Sequence, residues 1–233
     1  MTEQQCYPID PTNPGEVLAC AALAWLAAQE DPQSKSGFTQ IGDGGSWQFQ
    51  GPWPETSVHA LIEQDPCEQD DAVWIGGLRL DWFQYPYGLN PGFKFWAGQQ
   101  TATTVLTNLV QAAREGDPQE WLSYRAPTTG RLGVDPEGTW DSLALGWSVN
   151  EHTRLKYLCR PFVELLAFVG LQRFPVQGSR AEGFRYHLWR PVPGALAPIA
   201  LAGASSFSVG GWQTEIADSG SNKYLKPARV IRE

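Results

Sequence analysis

The sequence predicts an α+β fold, an antiparallel sheet with packed helices, and three observations carry that expectation. Hydrophobic periodicity changes along the chain, from helical spacing at Leu18, Ala22, Trp25 and Leu26 to two-residue alternation at Phe184, Tyr186 and Leu188. Clusters of glycine, proline and asparagine separate these stretches. At 233 residues and 42% hydrophobic content the chain can bury a substantial core. Residues 1–233 are therefore read as one α+β domain, with 84–92 as the stretch where a subdivision would fall.

The first element is a helix over about 15–28. It follows Asp10-Pro11-Thr12-Asn13-Pro14-Gly15, where Asn13 can cap and Pro14 suits the first turn. Phe38, Ile41, Trp47 and Phe49 then alternate weakly around Gly42-Asp43-Gly44-Gly45, which predicts a hairpin over 38–50. Val58 to Gln64 reads as a short helix and the acidic run Glu63 to Asp71 as a solvated connector. Strand signals return at 72–75 and 78–83. After Asn90-Pro91-Gly92, a helix over 101–114 sets Val105, Leu106, Leu109 and Ala113 on one face.

In the second half, Leu132 to Pro136 reads as a strand and turn, and Trp140 to Trp147 as a connecting unit. Ser148 and Glu151 stand three apart, as in a capping box; a helix from there sets His152, Lys156 and Arg160 on a common face. Pro161 opens an apolar helix over 161–171, with Glu164 expected at its polar edge. Strands are expected at 184–190 and 206–216, and Tyr224 to Ile231 can add a last one. The expected helical core is Leu18, Trp25, Leu106, Leu109, Leu165 and Phe168.

Composition narrows the function classes. The longest apolar stretch, Val17 to Ala28, is too short to span a bilayer, and no basic segment followed by a hydrophobic run opens the chain. Cys6, Cys20, Cys67 and Cys159 form no Cys-x-x-Cys unit and are read as ordinary thiols in a reducing cytoplasm. With His59, His152 and His187 scattered, neither structural zinc nor another cofactor is expected. The glycine cluster after Gly37 lacks the Gly-Lys-Ser/Thr ending of a phosphate loop. Asp10, Asp81, Asp135 and Glu164 could supply a metal-dependent nuclease, and His152 or His187 an RNA-cleaving acid or base, but no diagnostic spacing singles them out. A noncatalytic role is favoured.

The charge of −8 is unevenly distributed. Met1 to Leu78 holds 12 acidic residues against Lys35 alone, whereas Arg154 to Arg190 holds seven basic residues against two acidic ones. A local basic surface suffices to meet phosphates, because counterion release depends on local contacts; an acidic first third suits a basic protein partner. The phosphate-contact candidates are Lys94, Lys156, Arg160, Arg173, Arg185 and Arg190. Tyr186 and Trp189 are candidates for base stacking, on opposite faces of a regular strand. The run Lys94-Phe95-Trp96-Ala97-Gly98-Gln99-Gln100 reads either as a buried structural join or as a gripping platform.

Several blocks in order also carry a family resemblance. Asp10 to Gly15 with Cys20, Leu80-Asp81-Trp82, Trp96 to Gln100, Val149-Asn150-Glu151-His152, Glu164 to Ala167 with Gly170 to Phe174, and Phe184 to Trp189 together resemble the third-named subtype-specific protein family of type I-U (type I-G) CRISPR systems. The resemblance implies an antiviral role as a noncatalytic subunit or accessory protein of a CRISPR RNA-guided effector complex. Its partners would be the other effector-complex proteins, with guide RNA or target DNA; no membrane partner is implied. A protein-only scaffold and an RNA-processing or metal-dependent nuclease are the alternatives. A relation to the ferredoxin-like fold is the finer form of the fold expectation.

Overall fold

The computed structural model describes residues 4–42, 45–84, 88–96, 100–127, 131–137, 158–204, 206–219 and 222–231. The fold is mixed α+β, with antiparallel sheets and several helices. The order in the first half is β1 (Gln4–Ile9), α1 (Pro14–Glu30), β2 (Lys35–Ile41), β3 (Ser46–Pro52), α2 (Glu55–Glu63), β4 (Cys67–Gln69), β5 (Ala72–Ile75), β6 (Leu78–Leu80), α3 (Ala102–Ala113) and β7 (Ala126–Pro127). The second half contributes β8 (Leu158–Cys159), α4 (Pro161–Gly170), β9 (Gln177–Ser179), β10 (Gly183–Trp189), β11 (Val192–Pro193), α5 (Ala197–Leu201), β12 (Ser208–Thr214), β13 (Ile216–Ser219), β14 (Asn222–Leu225) and β15 (Arg229–Val230).

Helix α1 starts as its sequence demands. The Asn13 side chain accepts from the Glu16 amide at 3.2 Å, and Pro14 occupies the first turn, where its missing N–H costs nothing. An alanine-rich middle lets α4 approach closely: a Cβ on Gly170 would lie 2.4 Å from the Leu18 carbonyl oxygen. Both helices are almost wholly buried, so the pair forms the centre of the core. Among the described residues, no helix is long and apolar enough to cross a membrane.

Two four-stranded sheets flank this centre, in the orders β1-β3-β2-β11 and β15-β12-β10-β9. The hairpin expected at 38–50 is β2–β3, with Phe38 opposite Phe49. Only two residues separate β10 from β11, so the chain passes directly from one sheet to the other. At that passage Gly37 lies against the Arg190–Pro191 backbone, where a Cβ would come within 2.5 Å. Phe38 meets Trp189 edge-on at 4.7 Å, and Trp47 meets Trp212 at 5.8 Å, which joins the inner faces.

Several expectations need correction. Strand β1 was not anticipated, and the connector at 63–71 contains the exposed strand β4. The strand expected over 78–83 ends at Leu80, because the Asp81 and Trp82 amides turn aside to donate to Gln172 Oε1 at 2.7 and 3.1 Å. Residues 132–136 are not a strand but a loop tied to Glu164. Of the expected helical core, Leu18, Leu106, Leu109, Leu165 and Phe168 are buried; Trp25 is half-buried, with the Arg173 guanidinium 5.7 Å from its ring centre. The helix expected through His152 and the capping box at Ser148 and Glu151 lie outside the described residues, as does the unit at 140–147.

Candidate nucleic-acid interface

Strand β10 distributes its side chains between core and solvent. Phe184, Tyr186 and Leu188 point inward and are buried, while Arg185 points outward and is exposed. Arg185 stands opposite Gln177 on β9 and Gln213 on β12, and Gln213 stands opposite Arg229 on β15. The antiparallel register thus draws Gln177, Arg185, Gln213 and Arg229 into one row across the outer face. Arg185 Nε donates to Gln213 Oε1 at 3.2 Å, which steadies the guanidinium without neutralising it. His187, two residues along, is half-buried against Gly211 and Gly203, where added Cβ atoms would lie 2.9 Å from its ring.

Regular alternation fails at the end of β10. A register shift between Leu188 and Trp189 turns Trp189 inward beside Leu188 and leaves Arg190 exposed. Trp189 is sealed from solvent, and its Nε1 donates to the Ser36 carbonyl oxygen at 3.1 Å. Tyr186 is equally enclosed; its hydroxyl donates to the Pro11 carbonyl oxygen at 2.8 Å, and burial pushes its pKa well up. Neither ring offers a face for stacking in this arrangement.

Arg160 is the third candidate that the fold encloses, at 3% exposure. Pro161 keeps it out of the helical region at the start of α4, and its side chain turns back into a carboxylate cluster. Its Nε and Nη2 donate to Asp135 Oδ2 and Oδ1 at 2.8 and 2.7 Å, Nη1 donates to Glu16 Oε1 at 2.6 Å, and Glu137 Oε2 lies 3.0 Å from Nε. Burial opposes the guanidinium charge, but Asp135 and Glu16 outweigh it and hold the pKa above its usual value. Arg160 is therefore a structural clasp between the starts of α1 and α4, not part of a solvent-facing strip.

Glu164 is equally internal rather than at a polar edge. Its carboxylate accepts the amides of Gly133, Val134 and Asp135 at 2.8, 3.1 and 2.8 Å. Burial, reinforced by the Asp135 charge, raises its pKa to about 6, while the amide contacts pull the other way. Asp81 stands elsewhere, bonded to Gln172, and Asp10 borders the Glu16 side of the clasp, its amide donating to Glu16 Oε2 at 2.7 Å and its carboxylate accepting from Thr12. Among the described residues, no group of three or more histidine, cysteine, aspartate and glutamate side chains is arranged to hold a metal ion. Cys6 and Cys67 are exposed thiols, Cys20 and Cys159 buried ones.

The exposed cations fall into two groups by their surroundings, and Lys226 pairs with Glu215 at 3.5 Å. Arg79, Arg114 and Arg125 pair with Asp81, Asp65 and Glu137. Lys94, Arg173, Arg180, Arg185, Arg190 and Arg229 have no carboxylate within 4.0 Å among the described residues. Carbonyls, an amide and rings hold all but Arg229 instead: Arg180 donates to Gly92 O at 3.2 Å, Arg190 to Ser206 O, and the Lys94 ammonium lies 5.7 Å from the centre of Trp96. Their charge is uncompensated locally and available to an anion. Lys156 lies outside the described residues.

Sequence reasoning missed Arg229, Arg180 and the two glutamines. The last strand expected over 224–231 held the signal for Arg229, because pairing β15 onto β12 sets it in the Arg185 row. The run after Lys94 proves to be a structural join at Phe95 and Trp96, which are buried, while Lys94 itself is exposed; Ala97 to Gln99 lie outside the described residues. No protein-family model, curated protein or solved structure matches the chain.

Proposed function

We propose that the chain is a noncatalytic subunit of a CRISPR RNA-guided antiviral effector complex, contacting guide RNA or target DNA through the outer face of β9, β10, β12 and β15. The carrying observation is the row Gln177–Arg185–Gln213–Arg229, whose guanidinium groups stand exposed with no carboxylate within 4.0 Å among the described residues. Phosphate oxygens are the natural acceptors for the two guanidinium groups, while the glutamines brace the row, Gln177 Nε2 donating to Ala202 O at 2.6 Å and Gln213 Nε2 to Glu182 O at 2.8 Å. Arg190, Arg173 and Lys94 are also exposed, and Lys156 belongs to the reading through its sequence alone. Arg160, Tyr186 and Trp189 leave the contact set because each is committed to an internal partner.

The resemblance to the type I-U (type I-G) family supports the partner assignment and, with it, a cytoplasmic setting. The order β1-α1-β2-β3-α2, with β3 hydrogen-bonded between β1 and β2, supports the ferredoxin-like relation for this part of the chain. It departs from that fold where β4 joins β5 and β6 rather than flanking β1.

A protein-only scaffold is the second reading. Glu55 and Glu63 on α2 and Glu68, Asp70 and Asp71 around the β4–β5 turn are exposed, which suits a basic protein surface. Purification with the other effector proteins and guide RNA, followed by crosslink mapping, separates the two. Nucleic-acid crosslinks at β10 and β15 are expected. Protein crosslinks alone on that face, with RNA affinity unchanged after charge reversal at Arg185 and Arg229, would overturn the proposal in favour of the scaffold.

A further inference from the structure

A cleft of about 800 Å³ lies between the β4–β5 turn, the start of α3 and the segment around Lys94. Its lining carries both signs of charge. Lys94 and Arg180 supply donors; the Arg180 guanidinium is anchored on the backbone carbonyl oxygens of Gly92 and Lys94. Glu68 and Asp71 supply acceptors. Glu68 Oε2 accepts from Thr103 Oγ1 at 3.3 Å in the first turn of α3, where the helix dipole favours an anion.

Flat apolar surface completes the lining, from half-buried Phe83 and from Trp96. Trp96 stacks on Phe168 with centroids 6.0 Å apart and planes 18° apart, so its orientation is fixed from behind. It is 8% exposed, so its share of the lining is small, and its Nε1 is sealed from solvent like those of Trp74, Trp82 and Trp121.

These features select a ligand by elimination. A simple anion would be repelled by Glu68 and Asp71, and a simple cation by Lys94 and Arg180. An apolar molecule would strip water from all four charges without replacing their contacts. What fits is a molecule with an anionic end, a flat ring and a hydrogen-donating edge, of a size ordinary for clefts of this volume. A nucleotide whose base bears an amino group has all three. Guanine can offer its N1 and N2 hydrogens together to one carboxylate, whereas uracil offers a single N–H between two carbonyls that a carboxylate repels.

We infer that this cleft binds one unstacked nucleotide of a single strand, with its phosphate at Lys94 and Arg180 and an amino-bearing base, guanine foremost, at Glu68 and Asp71. The inference rests on the nucleic-acid reading above and deepens it. The β9–β10 hairpin carries Arg185 on its second strand and Arg180 at its turn, so a strand on the outer face has a basic route toward the cleft.

Calorimetric titration of the full chain with GMP, UMP and ribose 5-phosphate tests the cleft directly. GMP is expected to bind about tenfold more tightly than UMP, as one two-point base contact provides. Lys94→Glu should weaken both nucleotides at least about tenfold. The pair Glu68→Gln and Asp71→Asn should bring GMP to the affinity of UMP while ribose 5-phosphate is retained. Lys94→Gln repeats the test without reversing charge, and thermal melting confirms that each variant is folded.

Failure of GMP to bind at millimolar concentration, equal affinity for GMP and UMP, or binding lost with Arg185→Glu rather than Lys94→Glu would each overturn the cleft assignment. A single-stranded oligonucleotide separates the two readings. If it binds through Arg185 and Arg229 while GMP does not bind, the cleft fails and the sheet interface stands. If neither GMP nor the oligonucleotide binds, both fall.

Discussion

Arg160 and Asp135 meet side-on through two hydrogen bonds, at 2.7 and 2.8 Å, with the Asp135 side chain fully enclosed and that of Arg160 at 4% exposure. Asp135 Oδ1 also accepts the Asn13 side-chain amide at 2.9 Å, so the residue that caps α1 leans on the same carboxylate. Two helix starts distant in sequence are thereby fastened to one loop.

Removing the guanidinium leaves Glu16 and Asp135 buried without their counter-charge. Arg160→Ala is expected to cost about 4 kcal/mol of unfolding free energy, because an uncompensated buried charge is the expensive case. Arg160→Lys should recover only part of this, since one ammonium cannot reproduce the forked contact. Urea denaturation of the three proteins checks both statements.

Glu164 predicts a pH dependence with a defined sign. Its folded pKa of about 6 lies above the ordinary 4.5, so the folded chain binds more protons than the unfolded chain in that window. Its contribution is fully present below pH 4.5 and is lost as pH rises through 6. Relative to Glu164→Gln, the native chain should lose about 2 kcal/mol of stability between pH 4 and pH 7. Parallel denaturation curves across that range measure it; a rising difference would contradict the assignment.

The α1–α4 crossing tolerates no added carbon. Gly170→Ala would drive a Cβ to 2.4 Å from the Leu18 carbonyl oxygen and 3.2 Å from the Ala22 amide nitrogen. Alanine is the better helix former, yet the forced separation of two buried helices should leave a net loss of about 2 kcal/mol. Thermal melting should show the drop, while a substitution at exposed Gln119 should leave the transition unmoved.

Salt dependence distinguishes phosphate contacts from core residues. Arg185→Ala and Arg229→Ala should each lower the slope of log affinity against log salt by about 0.7 for a single strand, weakening binding across sequences. Trp189→Phe removes the donor to the Ser36 carbonyl oxygen and should reduce stability by about 1 kcal/mol without changing that slope. Filter binding at several salt concentrations provides the readout.

Local chemistry was legible and long-range chemistry was not. Asn13 and Pro14 announce α1, and the glycine cluster announces the β2–β3 hairpin, because caps and turns depend on adjacent residues. Strand β1 escaped because Gln4-Gln5-Cys6-Tyr7-Pro8 is poor in branched residues and exists by pairing with β3. Arg160 looked like a surface cation because Glu16, its partner at 2.6 Å, lies 144 positions away. Alternation along β10 located Arg185 correctly, but the bulge after Leu188 reversed Trp189 and Arg190, and nothing in the local pattern marks it.

The partnership of α1 with α4 also bears on synthesis. Helix α1 leaves the ribosome before α4, with Val17 to Ala24 destined for complete burial, and the helix that covers it begins only at Pro161. A nascent chain carrying α1 without α4 exposes an apolar helix, and such surfaces recruit chaperones or associate with one another. Ribosome-stalled fragments ending before Pro161 are thus expected to be protease-sensitive and chaperone-bound. Release of the full chain should abolish both properties together.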